Sequence, residues 1–440
     1  MIIQFNFSNY KTFKERVVLN MIASNYDKTT NEEDNVINLE KRDLRIVKSS
    51  VIYGPNAAGK SKFIDAVTFF RKFILSSSKD ALQQSSIGAV PFRLNSETKN
   101  KPSDFEMMFI MDEVIYRYGF EVNEDEVVAE WLYYRPGKKE IELFYRTLQV
   151  FESDDKRMSK VAFLTGEKLV RKNSLLLSVL AQFNDEIANR LLDYFRKMDC
   201  VSGLEEMDYK NNSLEKVQND PVKRAQIMEF LKGADLGIQE LRYEDISDLY
   251  EDKVREVLLK VKHSSSLGDP HVLARVRTKH QIYDDANKPA GFDEFSMSND
   301  ESHGTQKYFY FAGLILDALE DGMVLFVDEL DSKLHPNLVC KIVSLFNSKK
   351  TNPRNAQLIF NTHDTNLLSA GIFRRDQIWF ISKDRYGAAK MYSLANFKNE
   401  VRKNEPFEDN YIRGKYGATP FLNEFEALTE QILKSNGKAE

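Results

Sequence analysis

Residues 50–61 read Ser50-Val51-Ile52-Tyr53-Gly54-Pro55-Asn56-Ala57-Ala58-Gly59-Lys60-Ser61. A short β-branched run leads into a loop that begins and ends with glycine, and Lys-Ser then opens an apolar helical pattern. Strand, glycine-flanked loop and helix, in this order, form the context in which G-x-x-x-x-G-K-[ST] acts as a phosphate-binding loop. The segment therefore predicts a nucleotide site, and an ordinary turn before a helix is the alternative.

Each functional position of this loop has a chemical reason. Gly54 and Gly59 let the backbone turn its N–H groups toward phosphate oxygens at a helix N-terminus. Lys60 supplies a positive charge to the β- and γ-phosphates, and Ser61 offers a hydroxyl to Mg²⁺. We therefore expect ATP and Mg²⁺ as cofactors. The predicted phosphate-binding residues are Gly54, Pro55, Asn56, Ala57, Ala58, Gly59, Lys60 and Ser61.

Composition limits the classes of protein that fit. A chain of 440 residues is too long for one compact core, so two lobes are predicted. The net charge of -5 gives no chain-wide attraction to nucleic acid or membrane, so such binding would need a local basic patch. Two widely spaced cysteines, Cys200 and Cys340, predict free thiols in a reducing cytoplasm. No apolar run reaches membrane-spanning length, which argues against a transporter subunit with its own span.

The first half of the chain predicts strands and one helix around the loop. Residues 1–19 alternate as two strands, residues 24–42 read as a polar loop, and residues 45–53 form the strand that enters the phosphate loop. A helix is predicted over 61–75. From 92 to 145, aromatic and polar residues alternate with period two, which indicates an antiparallel meander.

The middle of the chain switches to helical spacing over residues 172–235. This block is too short and too interrupted for the long coiled-coil arm of a chromosome-organising ATPase. We divide the chain into an N-terminal lobe at 1–165, a helical insertion at 166–245 and a C-terminal lobe at 246–440.

Basic residues alternate along a predicted hairpin that follows the helical block. Lys260 and Lys262 on one strand, with Arg275, Arg277 and Lys279 on the other, would share one face. A solvated outer face of an edge hairpin is one interpretation. A contact with DNA or an acidic partner is the other, since the clustered like charges have no visible acidic partners within the two strands.

Polar residues in the last third of the chain predict the other half of a nucleotide site. Ser302 and Gly304 precede an apolar helix, where a hydroxyl, a backbone N–H and the positive helix end together form an anion site. The apolar run 323–327 ends in Asp328 and Glu329, an acidic pair that folding alone does not favour there. Asp328 is predicted to hold Mg²⁺, and Glu329 to polarise the attacking water.

A histidine follows the next apolar strand. Residues 357–362 deliver His363 to the same carboxyl edge of the predicted sheet, where an imidazole can report on the γ-phosphate. A purely structural histidine is the alternative. The predicted catalytic residues are Glu329, His363 and Lys60.

The order of these motifs resembles the head of ABC-type ATPases. More closely, the chain is similar to the prokaryotic AAA-type ATP-binding proteins related to SMC and OLD-family heads. The further segments that carry the resemblance are 9–13, 91–94, 301–305, 328–331, 334–336, 374–378 and 411–420. It implies an α/β fold, an ABC-ATPase-like head with a P-loop core sheet, an antiparallel β meander and an inserted helical subdomain.

The resemblance also implies an assembly. Such heads hydrolyse ATP to ADP and phosphate, and form a homodimer or a higher homo-oligomer around two ATP molecules. Ser302 and Gly304 of one subunit would close on the γ-phosphate held by Lys60 of the other, and Asp331 would couple the two sites.

This chain departs from the family pattern in two places. The signature reads Ser-His-Gly-Thr-Gln and lacks the usual glycine pair. The Mg-contacting glutamine of the lobe junction has no clear counterpart, and Gln83 and Gln84 are the candidates.

The role implied by the resemblance is a cytoplasmic ATP-dependent switch that controls a separately encoded effector nuclease in prokaryotic antiviral defence. An SMC-like ATPase that repairs DNA or binds DNA ends, with the basic hairpin as its DNA contact, is the alternative. The tail at 411–420 is interpreted either as an ordered loop that docks the last helix or as a partner-docking element.

Overall fold

The computed structural model describes residues 1–80, 86–205, 207–245, 274–397 and 405–420. The strands are β1 (Ile2–Ser8), β2 (Val17–Asn20), β3 (Val36–Leu39), β4 (Leu44–Val47), β5 (Ser49–Tyr53), β6 (Ser103–Met111), β7 (Val114–Val122), β8 (Val127–Arg135), β9 (Ile141–Thr147), β10 (Val150–Ser153), β11 (Met198–Ser202), β12 (Ile238–Asp245), β13 (Ala274–Tyr283), β14 (Pro289–Ser296), β15 (Val324–Asp328), β16 (Gln357–Asn361), β17 (Ile378–Lys383) and β18 (Ala389–Ser393). The α-helices are α1 (Glu32–Asn35), α2 (Lys60–Asp80), α3 (Lys160–Gly166), α4 (Leu176–Gln182), α5 (Glu186–Arg196), α6 (Met207–Asn219), α7 (Pro221–Lys232), α8 (His303–Asp321), α9 (Pro336–Asn347), α10 (Asn366–Ser369) and α11 (Phe407–Ile412).

The core of the molecule is a six-stranded sheet, counted over the described residues, in the order β11-β15-β16-β5-β17-β18. Its first five strands run parallel, and β18 is antiparallel at the edge. Every residue of β5 and β16 is buried, as expected for parallel strands that are covered on both faces. Because the strands are parallel, the segments that follow β5, β15 and β16 all leave the sheet at the same edge.

An antiparallel sheet stacks over one face of the core sheet. It contains β10-β9-β8-β7-β6-β1-β2, seven strands within the described ranges. Helix α2, which follows the phosphate loop, lies between the two sheets. Its aromatic side chains pack against the antiparallel sheet, and the helix contacts β11 and β15 of the core sheet. The meander predicted from period-two alternation is confirmed as β6 to β9, and its aromatic residues form the sheet core, for example Phe105 and Phe120.

The other face of the core sheet is covered by α6, α7, α8 and α9. Alternate residues of one strand therefore serve two separate cores: Ile52 faces α2, whereas Val51 and Tyr53 face the helices. A small sheet, β12-β13-β14, lies beside α6 and α7. The predicted α/β class, with a P-loop core sheet and an antiparallel meander, is confirmed.

Two local predictions for the first part of the chain were wrong. Residues 24–42 are not an open loop, because they contain α1 and β3. Residues 45–53 are not one strand: β4 pairs with β3, whereas β5 enters the core sheet. The 24–42 segment is ordered by the buried guanidinium of Arg374, which donates to the carbonyls of Thr30 and Asp27 at 2.7 Å each. Such distant partners leave no periodic trace in the segment itself.

The block predicted as helical also contains a core strand. β11 lies within residues 166–245 and pairs in parallel with β15. Its sequence, Met-Asp-Cys-Val-Ser, has too few residues to distinguish a buried edge strand from a helical turn by periodicity. No helix among the described residues is both long and apolar enough to cross a membrane.

Candidate nucleotide-binding site

The phosphate loop connects the centre of the core sheet to α2. A Cβ on Gly54 would lie 2.4 Å from the carbonyl oxygen of Ile381, so no side chain fits there. Gly59 has φ +121°, a conformation that L side chains rarely adopt. Ala57 also lies in the left-handed region, at φ 60°. The backbone is therefore shaped as a cradle in front of the α2 N-terminus, which fits a bound phosphate.

Lys60 is buried, and its ammonium lies over the loop. Its Nζ donates to the carbonyl oxygens of Gly54 at 2.7 Å and Pro55 at 3.3 Å. Burial lowers the pKa of the Lys60 ammonium. The carboxylates close enough to oppose that shift belong to Glu329, Asp328 and Asp331. The fold thus brings the acidic segment to the lysine across about 270 residues of chain.

The acidic pair is held by a residue that the sequence reading missed. Asn361, the last residue of β16, donates from Nδ2 to Asp328 Oδ1. Its Oδ1 accepts from the backbone N–H of Glu329 at 2.8 Å. Glu329 itself has φ 53°, so the chain turns sharply where β15 ends. The sequence did contain a signal for Asn361: it is a polar residue at the end of an apolar strand, two residues before His363.

A second missed residue supports the acidic pair from the opposite side. Gly203 follows β11, and its N–H donates to the carbonyl oxygen of Asp328 at 2.6 Å. A Cβ at this position would lie 2.1 Å from the carbonyl oxygen of Glu329. Glycine is therefore required by close packing against the Asp328 and Glu329 backbone. Since β11 was read as helical, its sequence offered no signal for this contact.

His363 and Asp331 meet at the same edge. The backbone N–H of His363 donates to Asp331 Oδ2 at 3.2 Å, which links the turn after β15 to the segment after β16. The His363 side chain is exposed.

The signature segment begins α8. Ser302 caps the helix, and its Oγ accepts from the N–H of Thr305 at 3.1 Å. Ser302 and His303 are exposed. Gly304 packs against the turn that follows the acidic pair, since a Cβ there would lie 2.8 Å from the carbonyl oxygen of Lys333. A helix N-terminus with an exposed hydroxyl is therefore presented at the surface.

The C-terminal tail packs behind the site. The ring of Tyr411 on α11 lies 5.5 Å from that of Tyr53, the residue before the phosphate loop. Glu408 accepts from Thr365 Oγ1 at 2.8 Å and from Ser369 Oγ at 2.5 Å, at either end of α10. The interpretation of the tail as an ordered docking loop agrees with these contacts.

The predicted basic hairpin needs a correction. The strand β13, which contains Arg275, Arg277 and Lys279, is paired on both sides, by β12 and by β14. Lys260 and Lys262 lie outside the described residues. Arg277 pairs with Glu244 at 3.0 Å, and Lys279 with Glu240 at 3.2 Å. Acidic partners are thus supplied by β12, and the like-charge argument for a DNA contact loses its basis on this strand.

Gln83 and Gln84, the candidates for the Mg-contacting glutamine, also lie outside the described residues. The strand next to β15 on its outer side is β11, and Ser202 is in register with Asp328. The position beside the acidic strand is therefore taken by Ser202 and Gly203.

The donor set fits a magnesium nucleotide. Gly59 and Ala57 shape a backbone cradle for phosphate oxygens, and Lys60 at the α2 N-terminus supplies positive charge. The Ser61 hydroxyl and the Asp328 carboxylate are oxygen ligands of the kind that Mg²⁺ prefers.

The chain was compared with solved structures, curated sequences and family models. The solved structures similar to the chain include the SMC head domain from Thermotoga maritima, at 12% identity and TM-score 0.41, covering 89% of this chain and 98% of that one. An SMC head bound to the C-winged helix domain of ScpA matches at 14% identity and TM-score 0.40, covering 89% and 97%. An SMC head with an extended coiled coil, bound to the C-terminal domain of ScpA derived from Pyrococcus furiosus, matches at 16% identity and TM-score 0.35, covering 90% and 97%. No curated protein sequence matches the chain.

One family model matches residues 49–369, which include the phosphate loop, the signature segment, the acidic pair and His363. The family is described as "AAA domain, putative AbiEii toxin, Type IV TA system". The predicted kinship with AAA-type ATP-binding proteins is confirmed. Because the match spans well over half of the sequence, the chain belongs to this family of AAA domains.

Proposed function

We propose that this protein is an ATP-hydrolysing switch that forms a homodimer, or a higher homo-oligomer, around two ATP molecules. In this proposal the assembled state controls a separately encoded effector, a nuclease of a prokaryotic antiviral defence system, in the cytoplasm. The observation that carries the proposal is the position of Lys60. Its ammonium lies in the phosphate loop and within electrostatic reach of three carboxylates from the other half of the chain.

The residues at the carboxyl edge of the core sheet have different roles in phosphoryl transfer to water. Lys60 and the loop N–H groups hold the phosphates, which spreads the developing negative charge over fixed donors. Glu329, whose backbone is fixed by Asn361, accepts the proton of the attacking water. Ser61 and Asp328 would hold Mg²⁺, which when bound would supply positive charge against the phosphates.

The exposed N-terminus of α8 supports a role in dimerisation. Ser302 and His303 lie at a helix N-terminus in solvent, and the positive end of a helix favours a negative charge. The γ-phosphate of a nucleotide bound to a second subunit is the proposed occupant. Two such contacts would make ATP part of the interface, and hydrolysis would weaken it.

His363 and Asp331 are proposed to report which nucleotide is bound. The hydrogen bond between them joins the two segments that line the site. Loss of the γ-phosphate would therefore change the contacts of both segments together. A partner protein is proposed from the family's description as a toxin–antitoxin component. The nuclease activity of that partner is proposed from the resemblance to prokaryotic AAA-type ATP-binding proteins.

The experiment is a measurement of phosphate release and of mass in solution, with and without Mg-ATP. Glu329→Gln should lower turnover by about 10²–10⁴-fold while ATP is retained, and should accumulate as a dimer. Glu33→Gln is the matched control, since Glu33 is an exposed carboxylate on α1 and should behave as wild type. Wild-type turnover in Glu329→Gln, or a wild-type protein that neither hydrolyses ATP nor dimerises, would overturn the proposal.

The effector is tested separately. The open reading frame beside the gene should encode a nuclease, and that protein should bind the ATP-trapped Glu329→Gln dimer more tightly than the nucleotide-free protein. Equal binding to both states would contradict control by the switch. DNA binding through Arg275, Arg277 and Lys279 is the less favoured alternative, because two of these cations are paired with glutamates.

A further inference from the structure

Lys307 is a fully buried lysine at the first turns of α8. Its Nζ donates to three backbone carbonyl oxygens of the turn after β15: Ser332 at 2.5 Å, Leu330 at 3.2 Å and Glu329 at 3.5 Å. The ring of Phe311, one helical turn further on, lies 5.3 Å from the ammonium. The sequence reading assigned no role to this residue.

A lysine at this position is costly for folding. Buried ammonium groups lose water, and lysine is almost never fully buried without partners. Most of the neighbouring α8 residues are large and apolar, so an apolar side chain would fill the space at lower cost. What the lysine provides, and an apolar residue does not, is a set of hydrogen bonds to one specific backbone turn.

That turn sets the direction of the Glu329 side chain. Glu329 has φ 53°, a conformation that a non-glycine residue keeps only when its surroundings hold it. Asn361 holds its N–H, and Lys307 contacts its carbonyl oxygen. The peptide groups on both sides of the Glu329 side chain are thus fixed by two side chains from different elements.

The same turn is touched a second time by the signature segment. Gly304 lies three residues before Lys307, on the same helix face, and packs on the carbonyl of Lys333. A shift of the α8 N-terminus would therefore move the turn that carries Glu329. The linkage runs within one subunit, from the exposed Ser302 end of α8 to the carboxylate.

We propose that Lys307 is a positioning residue that couples the signature segment of a subunit to Glu329 of the same subunit. The inference rests on the proposed ATP-bridged dimer. There, Ser302 of one subunit meets the nucleotide held by the other. Lys307 transmits that contact to Glu329 in its own site, so hydrolysis in one subunit depends on nucleotide in both.

The test compares Lys307→Met with Lys48→Met in the full chain. Lys48 is also buried, and its Nζ donates to the carbonyl oxygen of Asn347 at 2.9 Å, before β5 and away from the phosphate loop. Both substitutions remove a buried ammonium from carbonyl oxygens, so both report the structural cost. We expect Lys307→Met alone to lower kcat by about 10²-fold, the effect of a small misplacement of a catalytic group. Nucleotide affinity should stay within about threefold of wild type.

Two further readouts separate positioning from packing. Lys307→Arg, which keeps donors toward the carbonyls, should recover at least part of the lost kcat. The dependence of wild-type turnover on ATP concentration should be sigmoidal, and Lys307→Met should make it hyperbolic. If Lys307→Met does not fold, Lys307→Arg and Lys307→Gln are compared instead. Gln retains one donor group, so Lys307→Gln should have a kcat between those of Lys307→Arg and the value expected for Lys307→Met.

The inference is overturned if Lys307→Met keeps wild-type kcat, or if its loss of kcat and of thermal stability matches Lys48→Met. Either result leaves the proposed function standing when wild-type protein and Glu329→Gln behave as described above. If the wild-type protein does not hydrolyse ATP, both the proposed function and the proposed role of Lys307 are overturned.

Discussion

The N–H of Gly203 donates to the carbonyl oxygen of Asp328 at 2.6 Å, at the point where two parallel strands end side by side. The contact connects a glycine between β11 and α6 with the acidic strand of the candidate site. It leaves no room for a side chain, since a Cβ would meet the Glu329 carbonyl at 2.1 Å. The position of the acidic pair therefore depends on a residue more than a hundred positions earlier in the chain.

Gly203→Ala should impair hydrolysis without impairing nucleotide binding. The added methyl group has to push the Glu329 backbone away, and a displacement of about 1 Å at a catalytic group can lower the rate by about 10²-fold. Gly137→Ala is the matched control, because a Cβ at that position meets no atom within 4 Å. Turnover measured beside nucleotide affinity checks this, and normal turnover in Gly203→Ala would contradict the close packing.

Lys60→Ala should lose nucleotide binding. In the proposed site the buried ammonium of Lys60 supplies the charge that holds the phosphates. Lys62→Ala is the control, since Lys62 is exposed and pairs with Asp65 at 3.0 Å on the surface of α2. Titration with a fluorescent ATP analogue measures both, and equal affinities for the two variants would remove Lys60 from the site.

Replacing either of two adjacent loop alanines by glycine should affect stability differently, because only Ala57 has a left-handed backbone. At Ala57, with φ 60°, an alanine costs about 1–2 kcal/mol, so Ala57→Gly should be at least as stable as wild type despite the greater freedom of unfolded glycine. Ala58 is buried and outside the left-handed region, so Ala58→Gly should lose about 1 kcal/mol. Thermal unfolding of the two variants gives the order.

Measuring the nucleotide affinity of loop variants tests whether the backbone shape of the phosphate loop matters for binding. Ala57→Gly should bind ATP as wild type does, because the glycine adopts the same backbone conformation. Gly59→Ala should abolish binding, since φ +121° is closed to alanine and the new Cβ would lie 2.9 Å from Thr12 Oγ1. Wild-type affinity in Gly59→Ala would show that the loop geometry does not matter for phosphate.

Glu408→Ala should loosen the segment that follows His363. The substitution removes both acceptors for Thr365 and Ser369, and hydrogen bonds to a charged group contribute about 1.5–3 kcal/mol. Amide hydrogen exchange of residues 363–369 should become faster. Asp409→Ala is the control, since Asp409 lies on the same helix and is exposed. Unchanged exchange in Glu408→Ala would mean that the tail does not hold α10.

Local motifs were readable because they concentrate chemistry in a few consecutive positions. The phosphate loop needs glycine where the backbone is left-handed or crowded, and Lys-Ser where phosphate and metal would lie, so the pattern is visible without a fold. The meander was readable for a similar reason, since one buried face imposes alternation on every strand.

Errors occurred where distant residues decide the local conformation. Arg374 orders residues 24–42 from the far end of the chain, and β12 supplies the acidic partners of Arg277 and Lys279. A strand of five residues such as β11 carries too little periodicity to be recognised without its neighbour β15.

The amino-acid sequence by itself determined the kinship with AAA-type proteins, the loop lysine and the acidic pair, and the order in which these motifs meet one sheet edge. Only the tertiary structure decided which residues hold the acidic pair in place: Asn361, Gly203 and Lys307. The physical reason is that a supporting contact depends on the backbone atoms it reaches, and backbone carbonyls and N–H groups are the same in every residue. The spatial arrangement of these backbone groups therefore cannot be predicted from a local pattern of side chains.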